Sequence, residues 1–208
     1  MKADQPGIGF KDAATGDYQG FDIEMGKVIA AELGIAPEDI EWVETVSDNR
    51  EPFIQQGRVD LVLASYSITD ERRTTVGQAG PYYVTGQQLL VREEDKDKIT
   101  GPDSLKDVKV CSVTGSTSIE RVEKEYGAKP VPFGTYSECV DQLKNGQVDA
   151  VTTDGAILLG YAADAPDELE VVGDAFSEER YGIGFKKGDE AMCGFLRDTL
   201  EKAFNDGS

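Results

Sequence analysis

The chain contains no histidine, three cysteines and one tryptophan in 208 residues. Without histidine it lacks the side chain that titrates nearest neutrality, and with it the usual general acid–base group and the commonest metal ligand. Cys111, Cys139 and Cys193 are scattered rather than grouped at zinc or iron–sulfur spacing, so neither a metal nor a cofactor is expected. Basic residues are scarce: 21 Lys and Arg stand against 40 Asp and Glu, a formal net charge of −19. Such a surface repels nucleic acid and anionic membranes, and neither is expected as a partner. No apolar run approaches the roughly 20 residues of a membrane span, and no basic-plus-apolar leader is present; if the protein is exported, this is its mature part.

What is present is an ordered α/β composition, 39% hydrophobic with 23 glycines. The length allows one large domain or two lobes of about 100 residues each. Phe21–Leu33 spaces its apolar residues as a helix that stops at Gly34 with Pro37 beyond. A strand is expected around Ile40–Val43, then a helix capped by Asn49 with Pro52 in its first turn, ending at Gly57. The apolar run Val59–Leu63 follows as a buried strand, so the opening third predicts βαβ units and a mostly parallel sheet. The segment Gln56-Gly57-Arg58-Val59-Asp60-Leu61-Val62 is echoed by Asn145-Gly146-Gln147-Val148-Asp149-Ala150-Val151. Two similar αβ units suggest two lobes of related architecture. The extended segments Gly80–Val91 and Arg180–Phe185 read as crossings between a discontinuous first lobe and an inserted second one.

Two clusters carry candidate chemistry. Strand 59–63 opens into Ala64-Ser65-Tyr66-Ser67-Ile68-Thr69-Asp70-Glu71-Arg72-Arg73. Hydroxyls and strand-end carbonyls suit an ammonium, and the Arg72 fork suits a carboxylate in bidentate fashion; the competing reading is a strand, a cap at Thr69 and two solvated arginines. In the second half, Thr114-Gly115-Ser116-Thr117-Ser118 lies between a strand and a helix. Backbone N–H groups there face the positive end of the helix dipole, an anion site suited to a carboxylate. It lacks the lysine and spacing of a Walker loop, and reads equally as a capping box from Thr117 to Glu120. Strand 148–152 ends at Thr153-Asp154-Gly155, where Asp154 is placed to meet an ammonium or else serves turn chemistry.

These segments, with Asp4-Gln5-Pro6-Gly7, Gly20-Phe21-Asp22, Asn49-Arg50-Glu51-Pro52, Ala79-Gly80-Pro81-Tyr82-Tyr83 and Tyr181-Gly182-Ile183-Gly184, span nearly the whole chain. In this order they resemble the extracellular solute-binding proteins of polar-amino-acid ABC transporters, glutamate/aspartate branch. The resemblance implies the type II periplasmic-binding-protein fold, shared with ligand-gated ion-channel domains: lobe 1 from residues 1–86 and 182–208, lobe 2 from 87–181, joined by a two-segment hinge. It implies a non-enzymatic monomer, periplasmic or extracellular and either free or lipid-anchored. Such a protein captures L-glutamate, or aspartate, in the interlobe cleft and delivers it to an ABC permease. Arg72 would hold the α-carboxylate with N–H groups of Ser67 and Thr117. The Ser65 carbonyl, the Ser67 hydroxyl and Asp154 would hold the ammonium. Ser47 and Arg50 would meet the γ-carboxylate, Arg50 being otherwise a solvated residue at a helix start. Asp4, Tyr66 and Ser116 complete the expected lining. The family has a full strand before Asp4 and a last helix beyond Ser208, so lobe 1 is expected to be incomplete at both ends. A place outside the cytoplasm favours a Cys111–Cys139 disulfide with Cys193 free over two buried thiols. A dehydratase-like enzyme, a receptor's ligand-binding domain, and glutamine as the ligand are the alternatives.

Overall fold

Capping residues and glycines set where most helices begin or end. In the computed structural model, which describes residues 1–207 apart from the side chain of Asp206, the order is β1 (Asp4–Gln5), β2 (Gly9–Lys11), β3 (Tyr18–Gln19), α1 (Phe21–Glu32), α2 (Arg50–Gln55), β4 (Leu61–Val62), α3 (Asp70–Thr75), β5 (Gly77–Thr85) and β6 (Gln87–Arg92). There follow β7 (Lys109–Val113), α4 (Thr117–Tyr126), β8 (Lys129–Phe133), α5 (Tyr136–Lys144), β9 (Ala150–Asp154), α6 (Gly155–Asp164), β10 (Leu169–Val172), β11 (Glu179–Phe185) and α7 (Glu190–Asp206). No described helix is long and apolar enough to cross a membrane. The chain forms two compact units: unit 1 from Met1–Ala3, Ile8–Val84 and Arg180 onward, unit 2 from Asp4–Gly7 and Thr85–Glu179. Both long crossings fall two residues before the expected 86/87 and 181/182, and Asp4–Gly7 belongs to unit 2 rather than lobe 1.

In unit 1, β11 lies between β4 and β5 and runs antiparallel to β4, with Gly184 opposite Val62. Ile54, Val62, Ala64, Tyr66 and Val76 pack together beneath it. Helix α1 stops as expected at Gly34, φ +74°, where the Ile35 N–H reaches back to the Ala30 carbonyl. The strand expected around Ile40–Val43 does not form. The Met1 amine donates to the Val43 carbonyl and the Thr45 N–H to the Met1 carbonyl, both at 2.8 Å; bonds bracketing a single residue make no ladder. Asn49 precedes α2 but its side chain makes no capping bond. A 3₁₀ turn over Ser47–Asn49 leads into the helix and leaves Asn49 helical (φ −98°, ψ −3°) rather than extended, as a side-chain cap requires.

Unit 2 is built on a five-stranded sheet in the order β10-β6-β9-β7-β8. β7 is parallel to β8 and β9, whereas β6 is antiparallel to both neighbours, so four strands run one way and β6 against them. β6 follows β5 through Gly86 alone, and the two strands belong to different sheets. The core holds Leu89, Val91, Leu105, Val110, Val122 and Ala150. Cys111 on β7 and Cys139 on α5 form a disulfide, Cα–Cα 5.5 Å, and Cys193 is a free thiol. The cap of α4 is Ser116, whose hydroxyl accepts from the Ile119 N–H, not Thr117; a reciprocal capping box occurs instead at the start of α5, between Thr135 and Glu138.

Candidate functional site

In unit 1 the strand end at residues 64–68 is stitched to β11. The Gly182 N–H donates to the Tyr66 carbonyl (2.9 Å) and the Ile68 N–H to the Arg180 carbonyl (2.8 Å). A Cβ at Gly184 would come within 2.8 Å of the Tyr66 ring, so a glycine is what admits that ring beside the strand. Thr69 caps α3 by accepting the Arg72 N–H at 3.1 Å, and this turns Arg72 back over the strand end. Arg72 Nη1 donates to the Ser67 carbonyl at 2.7 Å, and its Nε lies 3.4 Å from Glu51 Oε1. The same Glu51 oxygen accepts the Tyr66 hydroxyl at 2.6 Å. The Arg72 guanidinium sits 4.9 Å from the centroid of the fully buried Tyr66 ring, and that of Arg50 sits 4.5 Å from it. Burial, then the bond to Glu51, pushes the Tyr66 hydroxyl well above its ordinary pKa.

Arg50 is 2% exposed and is not a solvated helix residue. Its Nε donates to the Ser47 carbonyl (3.0 Å) and its Nη1 to the carbonyls of Ala64 (3.2 Å) and Ser65 (3.4 Å). The buried Ser47 hydroxyl accepts from Lys2 Nζ at 2.7 Å. Ser65 holds a left-handed backbone, φ +44°, which serine adopts only against a steric cost. Its N–H donates to Asp22 Oδ2 at 2.8 Å, and Asp22 Oδ1 accepts the Tyr82 hydroxyl at 2.5 Å. Desolvation raises the Asp22 pKa, opposed by the bonds from Tyr82 and Ser65. Structure thus brings Ser47, Arg50, Ser65, Tyr66, Ser67 and Arg72 into one cluster. Lys2, Asp22, Glu51 and Tyr82 also belong to it but were given no role by sequence reasoning, although three of them stood inside motifs it singled out.

In unit 2 the strand ends of β7 and β9 converge on Tyr136, a buried residue that sequence reasoning missed. Burial, then the Asp154 charge, pushes the pKa of its hydroxyl up to about 12, opposed by the neighbouring Thr153, Ser112 and Ser116. Asp154 is 4% exposed at the junction of β9 and α6. The Thr117 hydroxyl donates to Glu179 Oε2 at 3.1 Å, and Glu179 also pairs with Arg121 at 3.0 Å and accepts from Ser177 at 2.9 Å. Asp4 Oδ2 accepts the N–H groups of Tyr136 (2.7 Å) and Ser137 (3.2 Å), so this carboxylate occupies the start of α5, and the Tyr161 hydroxyl donates to the Asp4 carbonyl. Among the described residues, no group of three His, Cys, Asp or Glu side chains is placed to hold a metal.

Each unit therefore presents hydroxyls and a charged group at the carboxyl ends of its strands, where open α/β sheets bind ligands. The family model "Bacterial extracellular solute-binding proteins, family 3" matches residues 1–208, and the chain belongs to this family. It is 40% identical to the glutamate-binding protein GluB of Corynebacterium efficiens, over all of this chain and 74% of that protein. It is 37% identical to the ABC transporter glutamine-binding protein GlnH of Bacillus subtilis, over all of this chain and 76% of that protein. Among solved structures, an ancestral arginine-binding protein bound to arginine matches 99% of this chain and 91% of its own at TM-score 0.91 and 37% identity. The fold is thus that of the two-lobed periplasmic amino-acid-binding proteins, and these relatives are substrate-binding transport proteins, not enzymes.

Proposed function

We propose that the chain is a monomeric binding protein for L-glutamate, or aspartate, acting outside the cytoplasm and handing its ligand to an ABC permease. The reading assigns the ligand α-carboxylate to Arg72 with N–H groups of Ser67 and Thr117. It assigns the α-ammonium to the Ser65 carbonyl, the Ser67 hydroxyl and Asp154. The observation that carries it is the fixed Arg72 fork: the Ser67 carbonyl and Glu51 hold the guanidinium in place at the end of the strand. A pre-aligned fork loses little conformational entropy when it meets a carboxylate. Glutamate is favoured over other amino acids by the name of the 40% identical relative.

Glutamine is the second reading, and one observation favours it. Arg50, the expected partner of a γ-carboxylate, directs Nε and Nη1 onto backbone carbonyls, and a neutral side-chain amide needs no cation. Thermal-shift measurements with Glu, Asp, Gln, Asn, His and Arg decide. Glutamate should give the largest rise in Tm. A larger rise with glutamine transfers the assignment to that ligand, and no rise with any of the six overturns the amino-acid-binding reading.

A further inference from the structure

Three of the motifs that carry the family resemblance have no part in the ligand contacts proposed above: Gly20-Phe21-Asp22, the Ser47-to-Pro52 segment around Arg50, and Gly80-Pro81-Tyr82-Tyr83. They are far apart in sequence, yet Asp22 and Arg50 both end on the backbone of Ala64 and Ser65, and Tyr82 is joined to that turn through Asp22. Asp22 takes the Ser65 N–H on one carboxylate oxygen and the Tyr82 hydroxyl on the other. Arg50 reaches the carbonyls on both sides of that same turn and is itself fixed by the Ser47 carbonyl and the Tyr66 ring. Phe21 stacks at 6.2 Å on Tyr82, which meets Tyr181 edge-on at 6.3 Å, so the tyrosine is seated from two sides. Lys2, Asp22 and Arg50 are 3%, 0% and 2% exposed. Burying ionisable groups around a two-residue turn is a poor route to stability, since well-packed apolar residues serve as well or better. What the arrangement does supply is a backbone conformation that serine resists, held from its N–H side and from its carbonyl side at once.

We infer that Asp22, backed by Tyr82, and Arg50 are positioning residues that lock Ser65 in its left-handed turn and thereby aim the Ser65 carbonyl and Ser67 hydroxyl at the ligand. The inference rests on the amino-acid-binding reading, and it gives Arg50 a role that is blind to the ligand's side chain. Asp22 touches no ligand in this scheme; it acts through the Ser65 N–H. The conformational requirement disappears if residue 65 is glycine, which takes φ +44° without a steric cost. A structural role for Asp22 alone would be insensitive to that change.

The test is a cycle of Asp22→Asn and Ser65→Gly in the full chain, read by amide hydrogen exchange at residue 65 and by calorimetry with the tightest-binding amino acid of the panel. Asp22→Asn should speed exchange of the Ser65 N–H at least tenfold and weaken binding about tenfold. In the Ser65→Gly background the same substitution should weaken binding less than threefold. Tyr82→Phe, which keeps the ring and removes only the hydroxyl, should act in the same direction as Asp22→Asn and decides the matter if Asp22→Asn does not fold. Equal loss of affinity in both backgrounds, or unchanged exchange at Ser65, overturns the inference. A wild-type chain that binds none of the amino acids overturns the binding reading instead, and exchange at Ser65 then still decides whether Asp22 holds the turn.

Discussion

Arg50 and Arg72 lie against the same buried tyrosine, and what separates their roles is where their donors point. Arg72 is fixed at one side by the Ser67 carbonyl and Glu51 and remains 10% exposed at its side chain. Arg50 sits at 2% exposure with donors on the backbone of Ser47, Ala64 and Ser65. In the proposed site, removing Arg72 leaves the ligand carboxylate desolvated and unpaired, which costs about 3–5 kcal/mol, so Arg72→Ala should lower affinity by roughly two to four decades; near-normal binding in calorimetry would refute the placement. Arg50→Ala should weaken glutamate and glutamine by the same factor, because the lost bonds hold the turn and not the ligand side chain. A selective loss of glutamate, measured with both ligands, would restore Arg50 as the γ-carboxylate partner. That both arginines belong to one cluster was legible from the strand-to-hydroxyl pattern and the family motifs. The direction of Arg50 was not, since the 3₁₀ turn at Ser47–Asn49 sets the phase of α2 and leaves no signature in residue spacing. Tyr136 was equally hidden, as a tyrosine in a first helical turn reads as ordinary packing until the ends of two strands are brought against it.

At the scale of elements, the glycine stops were the most readable feature. The echoed segments end their helices identically: Arg58 N–H reaches the Phe53 carbonyl and Gln147 N–H the Gln142 carbonyl, each just after a glycine at positive φ (+65° at Gly57, +68° at Gly146). That geometry is a local consequence of sequence, so it is visible in sequence. The strand expected at Ile40–Val43 failed for the opposite reason, because a strand exists only where a partner runs beside it. The cap at α4 moved one residue, from Thr117 to Ser116, and freed the Thr117 hydroxyl to reach Glu179. In unit 2 the Cys111–Cys139 bond joins β7 to α5 across a sequence separation of 28. Closing a loop of that size in the unfolded chain contributes about 3–4 kcal/mol. Cys139→Ser should therefore lower the unfolding free energy by about that much in a denaturant titration, and an equal midpoint with and without the bond would show that the unfolded ensemble is not what it constrains.

At the scale of the whole molecule, a net charge of −19 sets a negative acceptor against a ligand that is itself an anion if it is glutamate. Near the site the balance differs. Charges about 4 Å apart interact by a few kcal/mol at an intermediate effective dielectric, whereas exposed charges beyond roughly 8–10 Å are largely screened at physiological salt. On the proposed reading, the many surface carboxylates govern approach and Arg72 governs capture. At about 10 mM salt the screening length is roughly 30 Å, long enough for the whole surface to repel an incoming anion. Raising salt to about 150 mM shortens that reach to about 8 Å. The association rate of glutamate should then rise several-fold, while that of zwitterionic glutamine changes less than twofold and dissociation of either ligand is little affected. Stopped-flow binding at the two salt concentrations measures this directly. A glutamate association rate that falls with added salt would mean that Arg72 and its neighbours project their field past the surrounding carboxylates, and that steering and capture belong to the same residues.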